Sequence, residues 1–120
     1  KENHIEACGT ITEAVGKCFD QSAEVWVEVE CENMKQVQEA IYACPDMILL
    51  DNMTPAEVHE ARKLIPESIL LEASGNITLT NARDYAETGV NRIAIGAITH
   101  SAPALDLSMR VVADKGITNP

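Results

Sequence analysis

Glu30 and Asp51 stand 21 residues apart, each closing a short β-type run, VWVEVE and MILLD. Two carboxylates at adjacent strand ends suit a developing cation, or a Mg²⁺ ion bridging substrate oxygens. The competing reading is a pair of solvated strand-end acids. The residues after the next two runs favour the cation. ILLEA leads into Ser74-Gly75-Asn76, and RIAI into Gly96-Ala97, with Ile95 closing that run. Small residues at successive strand ends let backbone N–H groups approach an anion closely, and the last loops of a βα barrel commonly hold phosphate. Ser74 adds a hydroxyl donor. Either glycine alone reads as a turn residue; the ordered pair points to an anion. Glu72 keeps the 21-residue phase, and Glu28 shares a strand face with Glu30, where it reads as packed or ion-paired.

Elements that position these residues follow from periodicity. Strands are predicted at Val25–Glu30, Met47–Leu50, Ile69–Ala73 and Arg92–Ile95, with helical spacing between them. The capping-box pattern Thr10-x-x-Glu13 precedes Ala14, Val15, Cys18 and Phe19 on one helical face. Asn33 can cap a second helix burying Val37, Ala40, Ile41 and Cys44, which Pro45 stops. Thr54-Pro55-Ala56-Glu57 starts a third, ending near Ile65-Pro66. A fourth is expected from Thr78, with Leu79, Ala82, Tyr85 and Ala86 on one face before Gly89. A fifth is expected after Ser101 through Leu105, Leu107, Met109 and Val112.

Alternating strands and helices define an α/β chain with a parallel sheet. In VWVEVE the valines face a helix layer, so Trp26, Glu28 and Glu30 face something more polar, as at the mouth of a barrel. Four strand–helix units amount to half an eight-stranded barrel. The expectation is a partial (β/α) barrel over residues 1–113 and a polar tail over 114–120.

A formal net charge of −10 over 120 residues argues against nucleic acid and against a polybasic membrane contact. No apolar run approaches the ~20 residues of a membrane span, and Lys1-Glu-Asn-His4 lacks a signal-peptide core, so a cytoplasmic chain is expected. Cys8, Cys18, Cys31 and Cys44 contain no C-x-x-C pair and read as reduced, buried thiols. His59-Glu60 is not H-E-x-x-H, so zinc protease chemistry is unsupported.

Five collinear motifs carry a family resemblance: Lys1-Glu-Asn-His4, Val27-Glu-Val-Glu30, Leu49-Leu-Asp-Asn52-Met53-Thr-Pro55, Leu71-Glu-Ala-Ser-Gly75 with Ile77-Thr-Leu79, and Gly96-Ala-Ile-Thr-His-Ser-Ala-Pro-Ala-Leu-Asp106. From Lys1 to about Val112 the chain resembles quinolinate phosphoribosyltransferases. That resemblance implies Mg²⁺-dependent transfer of phosphoribosyl from phosphoribosyl pyrophosphate to quinolinate, giving nicotinate mononucleotide, pyrophosphate and CO₂. It also implies an open α/β barrel, of which this chain is the C-terminal half, together with an N-terminal domain and a homodimer. By the same resemblance Glu30 and Asp51 contact the ribose and stabilise positive charge at its anomeric carbon. Lys1 contacts anionic substrate groups; Ser74, Gly75 and Asn76, with Ile95, Gly96 and Ala97, hold the 5′-phosphate. His4 and His100 are supporting candidates. No metal ligand set is assigned.

Two departures stand out. Asn76 replaces the family's usual second glycine, and Asn tolerates positive φ. Cys44-Pro45 replaces a usual Ala-Gly, away from the site. Basic residues other than Lys1 and Arg92 fall in helical or tail stretches, too few near the strands to neutralise such substrates, so the isolated chain is expected to be inactive. It is also expected to associate through its open edges. Two alternatives remain: a non-catalytic half-barrel that binds a sugar phosphate or a partner chain, and a phosphoribosyltransferase of different base specificity.

Overall fold

Thr54 begins its helix as its neighbours dictate. Its Oγ1 accepts the Glu57 N–H at 3.4 Å, and its own N–H donates to Glu57 Oε2 at 2.8 Å, closing a full capping box ahead of Pro55. Thr10 Oγ1 likewise accepts the Glu13 N–H at 3.1 Å, and Asn33 Oδ1 the Gln36 N–H at 3.1 Å. Glu39 adds a tertiary cap, accepting the Ile11 N–H at 2.8 Å and so tying two successive helices together.

The computed structural model describes residues 1–22, 24–100 and 103–111. The elements are α1 (Glu2–Cys8), α2 (Ile11–Gln21), β1 (Glu28–Cys31), α3 (Met34–Ala43), β2 (Met47–Asp51), α4 (Pro55–Leu64), β3 (Leu70–Ser74), α5 (Ala82–Ala86), β4 (Arg92–Ile93) and α6 (Ala97–His100). All strands run parallel in the order β1-β2-β3-β4. Parallel neighbours in sequence require a crossover, which α3, α4 and α5 supply.

The register divides the sheet into two unlike faces. Val29, Cys31, Ile48, Leu50, Leu71 and Ala73 lie under the helices and are all but fully buried, packed with Val37, Ala40, Val58, Ala61 and Tyr85. The opposite face carries Glu28 and Glu30, then Met47, Leu49 and Asp51, then Leu70, Glu72 and Ser74, then Arg92. Apart from Met47, these residues are half-buried or exposed. A parallel sheet ordinarily buries both faces, so a face this polar and open is the inner wall of a barrel that is only partly present.

Several expectations need correction. β1 begins at Glu28, so Val25 and Trp26 lie outside it, 41% and 56% exposed. β2 starts only at Met47, after buried Pro45; Val27 O still accepts from Met47 N at 3.2 Å, but Val25 and Trp26 have no partner strand. β4 has two residues; Ala94 still donates to Ala73 O at 2.9 Å, but at Ile95 the chain turns into α6. α5 is shorter than expected, because Thr78–Asn81 forms a turn in which the Thr78 N–H goes to Asn81 Oδ1 at 2.7 Å, leaving Leu79 exposed. α1 has no counterpart among the expected helices: it has no side-chain N-cap and buries no residue fully. The expected fifth helix is absent over the described residues 103–111, which hold no regular structure. There Leu105, Leu107 and Met109 alternate by two, a spacing that no single helical face can gather, and all are exposed. Ser101, Val112 and the expected tail at 114–120 lie outside the described residues.

All four cysteines are free thiols, but only Cys31 is buried; Cys8 is half-buried. Cys18 points outward from α2. Cys44 is exposed because it takes the left-handed C-cap of α3, at φ 50°.

Candidate functional site

Strand pairing sets Glu30 beside Leu49, Leu49 beside Glu72, and Asp51 beside Ser74, all on the open face. Glu30 and Asp51 are therefore diagonal neighbours, about 8 Å apart at Cα from strand spacing and rise. Lys1 Nζ lies 3.2 Å from Glu30 Oε2, with the lysine largely exposed and the glutamate largely covered. The hydrogen bond to Glu30 and its charge hold the Lys1 ammonium above its ordinary value, and Glu2 and Asp51 push the same way. One cation thus sits in the field of both acids. Glu72, in the same cross-strand row as Glu30, has its carboxyl raised by burial and then by Glu28, with Arg92 opposing.

Beyond Asp51 the backbone turns sharply. Asn52 (φ 55°), Gly75 (φ 90°) and Asn76 (φ 52°) all occupy the left-handed region. The Asn52 N–H donates to Ser74 O at 2.9 Å, extending the β2–β3 ladder into the loops. A Cβ on Gly75 would stand 2.4 Å from Asn52 Oδ1 and 2.7 Å from Asn52 N, so glycine is required there on both conformational and steric grounds. Asn76 occupies its left-handed position at little cost, as its residue type allows.

Ser74, Gly75 and Asn76 face Gly96, Ala97 and His100 across a cavity of about 360 Å³, which Ile77, Thr78 and Ala94 complete. The His100 ring leans over Gly96: a Cβ there would meet its Nε2 at 2.5 Å. Ile95 packs against the core instead and does not line this cavity. His4 lies elsewhere, on α1. With Lys1, Ile5, Val15 and Val29 it lines a second, mainly apolar hollow of about 350 Å³ along the open edge of β1. Among the described residues no group of three or more His, Cys, Asp and Glu side chains is placed to hold a metal ion. None of the helices described is long and apolar enough to cross a membrane.

Asn52 is the site residue that sequence reasoning overlooked. Its Nδ2 donates to Asp51 Oδ2 at 2.7 Å, and its Oδ1 accepts from Asn76 Nδ2 at 2.9 Å. An Asn directly after a strand-end acid was the available signal, since such a residue is prone to left-handed turns.

A polar strand-end mouth beside a small-residue loop cavity marks the fold as part of a βα barrel, with the candidate site at the C-terminal ends of its strands. The chain belongs to the quinolinate phosphoribosyl transferase C-terminal domain family, whose model matches residues 1–110. It is 46% identical over 112 residues to the probable nicotinate-nucleotide pyrophosphorylase (carboxylating) of Bacillus subtilis, covering 92% of this chain and 39% of that protein. To the Synechocystis protein of the same name it is 44% identical over 117 residues, covering 93% and 39%. The crystal structure of nicotinate-nucleotide pyrophosphorylase from Ehrlichia chaffeensis superposes with a TM-score of 0.78 at 40% identity, over 82% of this chain and 36% of that one. The chain thus spans about two fifths of the curated relatives it matches.

Proposed function

We propose that this chain provides the ribose- and phosphate-binding half of a quinolinate phosphoribosyltransferase site. One observation carries the reading: Glu30, Asp51 and Ser74 share the open face of the sheet, and Ser74, the strand neighbour of Asp51, lines the cavity between the two small-residue loops. Departure of pyrophosphate from the anomeric carbon leaves an oxocarbenium-like centre, which fixed negative charge from Glu30 and Asp51 stabilises. The quinolinate ring nitrogen forms the new bond to that carbon. Loss of the neighbouring carboxyl group as CO₂ leaves an electron pair at the ring carbon, which takes up a proton.

The 5′-phosphate sits against Ser74, Gly75, Asn76, Gly96 and Ala97, with the backbone at Ile95 shaping the second loop. An overall charge of −10 makes these local donors necessary. Lys1 bridges the acids to anionic substrate groups, and His4 and His100 support from the flanks. Among the described residues no group of three or more candidate ligands is placed to hold a metal ion, so Mg²⁺ would be carried mainly by the substrate diphosphate, whose charge it would neutralise while keeping several waters, and Glu30 and Asp51 are left to the ribose. Upstream sequence supplies the remaining strands, the N-terminal domain and further basic residues; the whole works as a cytoplasmic homodimer.

In the full-length protein, Glu30→Gln and Asp51→Asn each lower kcat by about 100-fold or more, the scale of losing one electrostatic contact made in the transition state. Wild-type turnover in either variant removes the assignment. Nicotinate mononucleotide that binds the full-length protein in calorimetry, with no turnover from the two substrates, would favour the non-catalytic reading.

A further inference from the structure

The two asparagines at the mouth form a chain of fixed polarity. An ionised carboxylate accepts hydrogen bonds and donates none, so the Asn52 group 2.7 Å from Asp51 Oδ2 is its NH₂. Asn52 must then present its carbonyl Oδ1 on the other side, and only a donor can meet it there. Asn76 does so through Nδ2 at 2.9 Å. The arrangement continues into the loop, where Asn76 O accepts from Asn81 Nδ2 at 3.3 Å and Asn81 Oδ1 accepts the Thr78 N–H at 2.7 Å. Space for the Asn52 side chain exists only because Gly75 has no Cβ. Asn76, Thr78 and Gly75 all line the cavity between the loops.

We propose that Asn52 is a positioning residue that couples occupancy of this cavity to the orientation of the Asp51 carboxylate, with Asn76 as its loop-side arm. The inference rests on the reading of the cavity as a phosphate site and of Asp51 as a transition-state carboxylate. Asn52 touches neither phosphate nor sugar in this scheme. It holds Asp51 Oδ2 through one end of its amide and the loop through the other, which leaves Oδ1 of Asp51 for the ribose. An anion seated against the loop fixes Asn76, Asn76 fixes the Asn52 amide, and the amide fixes the carboxylate. By linkage the coupling is reciprocal: an ordered Asp51 favours the loop geometry that binds phosphate. Asn76 is therefore the arm of this coupling and no mere filler of a left-handed position.

The test uses the full-length protein and three variants. Asn52→Gly keeps the left-handed backbone without strain and removes both amide contacts. Asn52→Asp keeps the size of the side chain and the turn preference, but has no donor and opposes Asp51 with like charge. Asn76→Gly removes the loop-side arm, and any direct loss of phosphate contact is read in KM for phosphoribosyl pyrophosphate, so that kcat at saturating substrate reads the coupling. Loss of a hydrogen bond to a charged group is worth about 10- to 100-fold in rate. The expected pattern is a fall in kcat of that size for Asn52→Gly, a larger fall for Asn52→Asp, and a smaller change in KM for phosphoribosyl pyrophosphate in both. Because Asn76 acts through Asn52, the double variant Asn52→Gly with Asn76→Gly should be no slower than Asn52→Gly alone, within about two-fold. Independent, multiplying effects, or an Asn52→Asp variant with wild-type kcat, overturn the proposal.

A second readout needs no turnover. Inorganic phosphate is titrated into the protein labelled at asparagine, and the side-chain amide of Asn52 is followed by NMR. It should shift with the loop resonances in the wild type and lose most of that response in Asn76→Gly. If the loop amides respond while Asn52 stays still, the coupling alone is overturned. If phosphate moves nothing between Ser74 and Thr78, the cavity reading falls and the coupling falls with it.

Discussion

Replacing Gly75 by alanine puts the loop geometry to the sharpest steric test. The added methyl would stand 2.4 Å from Asn52 Oδ1, 2.6 Å from Cγ and 2.7 Å from the backbone N, all closer than real Cβ contacts. The oxygen and Cγ belong to a side chain that can rotate away, but only by breaking its bonds to Asp51 and Asn76. The backbone N cannot rotate away, since it is held to Ser74 O. Left-handed backbone at φ 90° adds about 1–2 kcal/mol for a residue with a Cβ. Overpacking adds about 1–3 kcal/mol. The total, roughly 2–5 kcal/mol, appears either as lost stability or as a displaced loop. In the second case phosphate affinity falls by about 30-fold or more, at 1.4 kcal/mol per tenfold. Thermal unfolding together with calorimetry of nicotinate mononucleotide on full-length Gly75→Ala separates the two. A variant unchanged in both Tm and affinity would refute the claim that Gly75 and Asn52 are in contact.

Four further outcomes are expected. Thr54→Ala should cost about 1 kcal/mol in urea unfolding, because it removes the α4 capping box. Glu57 is held below the usual carboxylate range by the Thr54 backbone and then by its hydroxyl, so it contributes stability above that range and loses it as pH falls through the folded value; Thr54→Ala keeps the backbone donor and should remove only the smaller, hydroxyl part of this acid limb. Glu72 is displaced the opposite way, its folded carboxyl raised, so charge there opposes folding at neutral pH. Glu72→Gln should raise Tm at pH 7, and the gain should vanish once pH drops below the carboxylate range. Burial pushes the Cys31 thiol up to about 12, whereas Cys18 and Cys44 are exposed; iodoacetamide at pH 8 should label those two first and reach Cys31 only on unfolding.

Features legible in the sequence were those with a local physical cause. Thr54-Pro55-Ala56-Glu57 and Asn33 specify helix starts through their own hydrogen bonds, and α4 and α3 begin where these residues place them. Glu30, Asp51 and Ser74 sit on one face because side chains in a strand alternate and the pairing of Glu30 with Leu49 and of Asp51 with Ser74 keeps them in step. Features set by tertiary context were not legible. Val25 and Trp26 have strand propensity but no neighbouring strand. α1 lacks an N-terminal side-chain cap, with Gly9 alone marking its end, and packs against α2. Leu105, Leu107 and Met109 suggest a helix through hydrophobicity alone, though their spacing of two argues otherwise. The side-chain bond between Asn52 and Asn76 joins residues 24 apart, a relation that periodicity cannot express.

Glu30 and Asp51, in this account, favour positive charge in a sugar pocket whose far wall binds phosphate. The most direct measurement of that claim compares, in the full-length protein, the affinity of a cationic iminoribitol 5-phosphate with that of neutral ribose 5-phosphate. The cation should bind about 100-fold or more tightly, and Glu30→Gln and Asp51→Asn should remove most of this preference while leaving ribose 5-phosphate affinity nearly unchanged. Equal affinities in the wild type, or a preference that survives both substitutions, would contradict it.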